Sequence, residues 1–188
     1  AQPSQRRHRD RDAVFGLDAY APRDVAARVL EVGVAKARLP LTTQVLLGVL
    51  AGAFIGLGSM MFTLVASDAS LGFAASRLAG GLAFSLGLFM VVVAGAELFT
   101  GNNLLAMAWA SGRLTSGELL RNWFVVALAN LAGAVGLAVL VWLADHAAAN
   151  DGAVARAAVR IATAKVQLSW EVAFFRGALC NVLVCMAV

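Results

Sequence analysis

The sequence predicts an all-α fold that spans a membrane and contains one broken helix. Three observations carry this. First, 61% of the 188 residues are hydrophobic, only 14% are charged, and the mean hydropathy is +0.80. A soluble domain carries about 25% charge. Second, the charges are segregated. Residues 39–67, 78–96 and 122–144 contain none, and each run is long enough to cross a hydrocarbon core of ~30 Å. Third, the longest apolar region, residues 78–112, would make a straight helix of roughly 50 Å at ~1.5 Å per residue. Its polar residues cluster at Gly95-Ala96-Glu97-Leu98-Phe99-Thr100-Gly101-Asn102-Asn103. The part beyond, residues 104–110, is too short to cross alone. The spacing therefore predicts a single span interrupted near mid-depth. Irregular backbone at that depth is tolerated only where it is buried in protein or lines a cavity. Such an interruption points to a transport site; a glycine kink with a capping threonine is the plainer alternative.

In chain order, residues 1–21 are polar and Arg-rich, and are expected to be disordered. No apolar core follows Arg6, Arg7, Arg9 and Arg11, so this is no signal peptide. Residues 22–39 suit an amphipathic helix at the membrane interface, opened by Pro22 and carrying Val25, Val29 and Val32 on one face with Leu30 beside them. Residues 40–188 form the transmembrane domain. Its first span, about 41–66, carries Gly48, Gly52 and Gly56 at every fourth position, a flat stripe for close helix approach. Gly56 and Gly58 make no dinucleotide fingerprint, because no strand precedes them and the third glycine is missing. A loop at 68–77 leads to the broken second span, and a loop at 111–121 to the third span, 122–144. Trp123 and Trp142 mark the ends of that span. Its Asn130, Gly133 and Gly136 are expected at helix contacts. A polar stretch, 145–165, precedes a fourth span from about Val166, which carries Glu171 and Arg176 and stops mid-pattern at Val188.

Several function classes fall away. There is no aromatic-interleaved basic patch for nucleic acid. Cys180 and Cys185 lie five apart on an apolar helix without further ligands and read as packing residues. His8 and His146 lie outside the apolar runs, so no haem is held between spans and no cofactor is expected. The eight Lys/Arg residues before position 40 favour a cytoplasmic N-terminus. Arg77, Arg156, Arg160 and Lys165 fall on the opposite side if the second span crosses once.

Five further stretches carry a resemblance. Gly80-Gly81-Leu82-Ala83-Phe84-Ser85-Leu86-Gly87-Leu88 and Gly95-Ala96-Glu97-Leu98-Phe99-Thr100-Gly101 are similar to motifs of the formate/nitrite transporter family. So are Ala110-Ser111-Gly112-Arg113, Asn122-Trp123, and the run from Arg176-Gly177-Ala178-Leu179-Cys180 to Asn181-Val182-Leu183-Val184-Cys185. The resemblance covers residues 24–188. It implies an aquaporin-like fold of six spans in two inverted repeats, of which this sequence holds four. It implies a homopentamer in the bacterial inner membrane that passes small monovalent anions, such as formate, nitrite, hydrosulfide, acetate or lactate. Leu98-Phe99-Thr100 then breaks the second helix at the pore centre. Phe84 and Leu88 contribute to two hydrophobic constrictions, with Leu98 beside the inner one and Asn181 and Val184 at the outer one; Phe99 is counted with these constriction residues. Lys165 matches the basic residue of the outer vestibule. The family's second broken helix, with a central histidine, and its sixth span do not occur before Val188, and the intact protein is expected to contain them. Gly101-Asn102 after the threonine looks more like nitrite and hydrosulfide members than formate channels with serine there.

Without the resemblance, Phe84 and Leu88 share a helix face that suits lipid as well as a pore. Asn181 in hydrocarbon needs a protein or water partner. Thr100 and free loop N–H groups suit a dehydrated anion, and Thr100 also suits a cap. Glu97, the only acid within the central spans, is expected to hold loop N–H groups. The function expected is a channel for small monovalent weak-acid anions, not an enzyme. The alternatives are a non-transporting anchor of a redox complex and a neutral-solute pore. Small residues along the first and third spans predict close contacts between subunits, with lipid around them.

Overall fold

The structure, a computed structural model, describes residues 21–187. The disorder expected over residues 1–21 falls, apart from Ala21, outside the described residues. Seven α-helices follow in order. They are α1 (Pro22–Ala37), α2 (Leu41–Ala66), α3 (Phe73–Val93), α4 (Leu105–Ala110), α5 (Ser116–Leu143), α6 (Ala153–Val166) and α7 (Trp170–Ala187). Short 3-10 turns at Gly101–Leu104 and His146–Ala148 complete the path. The helices α2, α3, α5 and α7 are long and apolar enough to cross a membrane, and the chain is an integral membrane protein.

Helix α2 is the centre, because it alone packs along both α3 and α5. Both contacts depend on missing side chains. A Cβ on Gly52 would sit 2.0 Å from the Asn130 carbonyl oxygen, and one on Gly133 would sit 2.0 Å from that of Val49. On the other side, Cβ atoms on Gly58 and Gly87 would each approach a facing backbone carbonyl, of Phe84 and Phe54, to 2.7 Å. Gly56 belongs to the α5 contact, where Leu137 fills its space. The large side chains point outward instead: Leu46, Leu82, Phe124 and Leu131 are all exposed. In lipid there is no hydrophobic drive to bury them, and helices associate through small residues that let backbones close up.

The stripe at Gly48, Gly52 and Gly56 makes the close helix approach expected of it, against α5. One expectation is corrected. Gly136 makes no such contact; nothing lies within 4 Å of where its Cβ would be. Two spans also start away from where hydropathy put them. Helix α5 begins at Ser116 because Thr115 and Glu118 form a reciprocal capping box. Helix α7 begins at Trp170, after the turn that ends α6.

The sides of the bundle follow from contacts at the helix ends. Arg38, just after α1, donates to the Glu118 carboxylate at 3.0 Å and to the Arg113 carbonyl at 3.4 Å. The turn between α4 and α5 is therefore on the side where α2 starts. At the other end of α2, Ala66 accepts from Arg160 of α6 at 3.0 Å. The broken segment α3–α4 thus crosses once. Helix α1 presents Leu30, Gly33, Val34 and Ala37 to α4 and α5, with Ala37 almost fully buried among Leu105, Ala108 and Leu119. Val25 and Val32, on the face expected at the membrane interface, are 49% and 39% exposed.

The glycine contacts make a graded test. In the full-length protein, Gly52→Ala and Gly133→Ala should each lower stability by about 1–3 kcal/mol or more through overpacking. Gly136→Ala should be neutral or slightly stabilising, since Ala is the better helix former. Thermal unfolding in detergent measures all three; equal effects at the three positions would contradict the packing.

Candidate functional site

Helix α3 ends because of Gly95, whose φ of +63° is left-handed. Gly95 N–H donates to the Val92 carbonyl at 3.2 Å and Ala96 N–H to that of Val91 at 3.0 Å. This is a Schellman cap, completed by apolar contact between Ala96 and Val91. No helix forms from Ala94 to Thr100, and the chain returns to helix through the 3-10 turn. The break thus opens four residues before Leu98, where the sequence had placed it. A second Schellman cap at Gly112 (φ +73°) ends α4 with bonds from Gly112 and Arg113 to Trp109 and Ala108.

Asn130, midway along α5, clamps the break. Its Nδ2 donates to the carbonyls of Gly48 and Glu97, each at 2.8 Å, and its Oδ1 accepts from Phe99 N–H at 2.9 Å. Glu97 N–H donates across to the Leu47 carbonyl of α2 at 3.2 Å. The N–H groups of Leu98 and Thr100 find no acceptor among the described residues.

Below the clamp lies a buried polar cluster. Glu97 is 1% exposed. Its Oε1 pairs with Lys36 Nζ of α1 at 3.0 Å, and its Oε2 accepts from Asn102 Nδ2 at 2.7 Å. Asn102 Nδ2 also reaches Asn122 Oδ1 at 3.0 Å, and Trp123 Nε1 donates to the Asn102 carbonyl at 3.0 Å. The expectation that Glu97 binds loop N–H groups is corrected: its carboxylate serves an ammonium and a side-chain amide, while Asn130 binds the loop. The cluster was not read from the sequence, although Lys36, Asn102 and Asn122 are all polar residues on otherwise apolar faces. Gln44, wholly buried on α2, was also missed; its amide has no hydrogen-bond partner among the described residues.

The sequence-derived site residues distribute as follows. Leu98 packs on Ala51, Val91 and Ala96. Phe99 meets Trp123 edge-to-face, with ring centroids 6.4 Å apart. The Thr100 carbonyl accepts from Cys185 Sγ of α7 at 3.3 Å, so Cys185 is more than packing. Asn181 accepts from Asn103 Nδ2 and donates to its own Gly177 carbonyl at 2.8 Å. Val184, one turn on, is half-buried, as are Phe84 and Leu88 on α3. Lys165 is exposed in the last turn of α6, away from the break. Among the described residues no His/Cys/Asp/Glu group is placed to hold a metal.

The formate/nitrite transporter family model matches residues 23–188. The chain belongs to the formate/nitrite transporter family. It is 38% identical over 142 residues to the formate channel FocA of Haemophilus influenzae, covering 75% of this chain and 50% of that protein. It is 37% identical over 174 residues to FocA of Escherichia coli K12, covering 92% of this chain and 61% of that one. The chain thus spans only half to three-fifths of these relatives. Among solved structures, a pentameric formate channel with formate bound superposes with a TM-score of 0.73 at 36% identity, over 78% of this chain and 58% of that chain.

Removing one partner of the buried ion pair strands a charge. Lys36→Met should destabilise the full-length protein by about 3 kcal/mol, the lower end for buried pairs, because Lys36 keeps 28% of its side chain exposed. Adding Glu97→Gln should restore most of that loss. A double-mutant cycle by thermal unfolding reads the coupling; additive losses would show that the pair is not an energetic unit.

Proposed function

We propose that the intact protein is a homopentameric channel that passes formate or another small monovalent weak-acid anion through each protomer, aided by proton uptake. The observation that carries this reading is the break itself. It places the unengaged N–H groups of Leu98 and Thr100 in one short loop, held by Asn130. Such donors can replace part of an anion's hydration shell, which an apolar passage otherwise makes costly to lose. The Thr100 side chain extends the same donor set. Phe84, Leu88, Leu98, Phe99, Asn181 and Val184 are the proposed constriction residues, and Glu97 supports the loop through Asn102. Lys165 acts at a distance, raising anion concentration at the mouth on the α6 side.

The formate channels among its relatives support the substrate class, and formate is the first candidate. Neutralisation in transit would remove the remaining penalty, since an uncharged acid crosses apolar rings readily. The N-terminal side is assigned to the cytoplasm of a bacterial inner membrane. It carries Arg23, Arg28, Lys36, Arg38, Arg113 and Arg121, against Arg77, Arg156, Arg160 and Lys165 opposite.

Stopped-flow uptake into proteoliposomes of the full-length protein tests this. Formate and nitrite flux should rise as external pH falls. Thr100→Val should lower flux at every salt concentration. Lys165→Ala should lower it at low salt and much less at high salt, because a surface charge acts through a field screened within ~8–10 Å at physiological ionic strength. Flux of neither anion, or equal flux of large divalent anions, would refute the reading.

A further inference from the structure

A cavity lies far from the break, where the end of α2, the start of α3 and α6 meet. It has a volume of 300 Å³ and is lined by Asp68, Phe73, Ser76, Arg77 and Arg160 among others. At ~30 Å³ per water it holds on the order of ten water molecules, a scale that matches the heavy atoms of a small polar headgroup. Its position is at the ends of two membrane-spanning helices, where headgroups lie.

Its charges are of both signs and are set apart. Neither Arg77 nor Arg160 forms a salt bridge among the described residues. Arg77 is held back toward the helix start by the face of Phe73, 5.4 Å from ring centroid to guanidinium carbon. Arg160 spends one donor on the Ala66 carbonyl, at 3.0 Å, and its fork has others to offer. Asp68 Oδ1 accepts from the amide and the hydroxyl of Ser70, at 2.8 and 2.7 Å. These bonds hold the Asp68 carboxyl below its ordinary pKa, so it stays anionic at neutral pH. Phe73, 79% exposed, extends an aromatic surface outward from the rim, as interfacial anchors do.

We propose that this cavity binds the headgroup of a zwitterionic phospholipid with a primary ammonium, its phosphodiester against Arg77 and Arg160 and its ammonium against Asp68. A guanidinium matches phosphate oxygens in geometry and charge. The Ser76 hydroxyl adds a donor to the phosphate. A purely anionic headgroup would satisfy the arginines but face Asp68, so the carboxylate makes the site selective rather than merely basic. The acyl chains run along Phe73 and Leu71 into the bilayer.

Mass spectrometry of the detergent-solubilised full-length oligomer under non-denaturing conditions tests the assignment, titrated separately with phosphatidylethanolamine and phosphatidylglycerol. Wild type should retain phosphatidylethanolamine preferentially. Arg77→Gln with Arg160→Gln should weaken both lipids by about tenfold or more, the equivalent of losing one or two charge-assisted hydrogen bonds. Arg160→Lys, which keeps the charge, should recover part of the binding. Asp68→Asn keeps the acceptor for Ser70 and should reverse the preference toward phosphatidylglycerol. A change in fold alone would not reverse selectivity. Three results would overturn the proposal: an unchanged lipid ratio in Asp68→Asn, no retained lipid in wild type, or displacement of the lipid by millimolar inorganic phosphate alone.

Discussion

Backbone that leaves helical geometry inside an apolar bundle must have its polar groups matched, since lipid offers them nothing. The segment from Ala94 to Thr100 meets most of this requirement by three different means. At its start, the Schellman cap at Gly95 returns two N–H groups to α3 itself. In its middle, Leu47 of α2 and Asn130 of α5 take the groups of Glu97 and Phe99. At its end, Cys185 of α7 and the Trp123 indole serve the carbonyls of Thr100 and Asn102. Four helices therefore converge on seven residues of chain. The donors left over, at Leu98 and Thr100, are the ones available to a ligand.

The ion pair beneath the break adds a constraint of another kind. A carboxylate buried to the extent of Glu97 is tolerated only when both oxygens are served. One oxygen is served by Lys36, which arrives on α1 from outside the spanning bundle. The amphipathic helix is thus part of the site. Its docking on α4 through Gly33 and Ala37 sets where the ammonium stands. Such a pair adds little net stability compared with an apolar replacement, but it admits very few arrangements of α1 against the loop. Its value lies in specificity of position, a role that buried polar groups serve in some folds.

Much of this was legible in the sequence, and the reasons are physical. Charge-free runs mark spans because length and hydropathy are imposed by the bilayer, so α2, α3 and α5 could be placed. The break was visible because a 35-residue apolar region cannot be one helix across ~30 Å. What escaped were the partners. Hydropathy counts Lys36 as a surface charge and Asn130 as one amide among apolar neighbours. Neither reading names a partner: Asn130 reaches the Gly48 carbonyl, 82 residues away in sequence, and Lys36 reaches the Glu97 carboxylate. The early start of α5 had a local signal, Thr115 followed by Glu118, that a capping-box reading would have found. The use of the glycine stripe had none, because small residues mark a close contact without naming the partner.

The glycine contacts and the clamp are one device. The backbone carbonyl of Asn130 lies where a Cβ on Gly52 would be, and the Asn130 side chain is what holds Glu97 and Phe99 in place. The distance between α2 and α5 therefore sets the position of the loop donors directly, through one residue whose backbone serves the packing and whose side chain serves the site. A donor array for a small anion has to be right to within about half an ångström. A rigid, closely spaced helix pair supplies that precision better than a loop could by itself. The same logic explains why α2 and α5 approach through glycine over much of their length. Leucines at Gly48, Gly52 and Gly133 would pack a pair of helices well enough, but at a separation too wide for one asparagine to reach from α5 to both the Gly48 carbonyl and the loop.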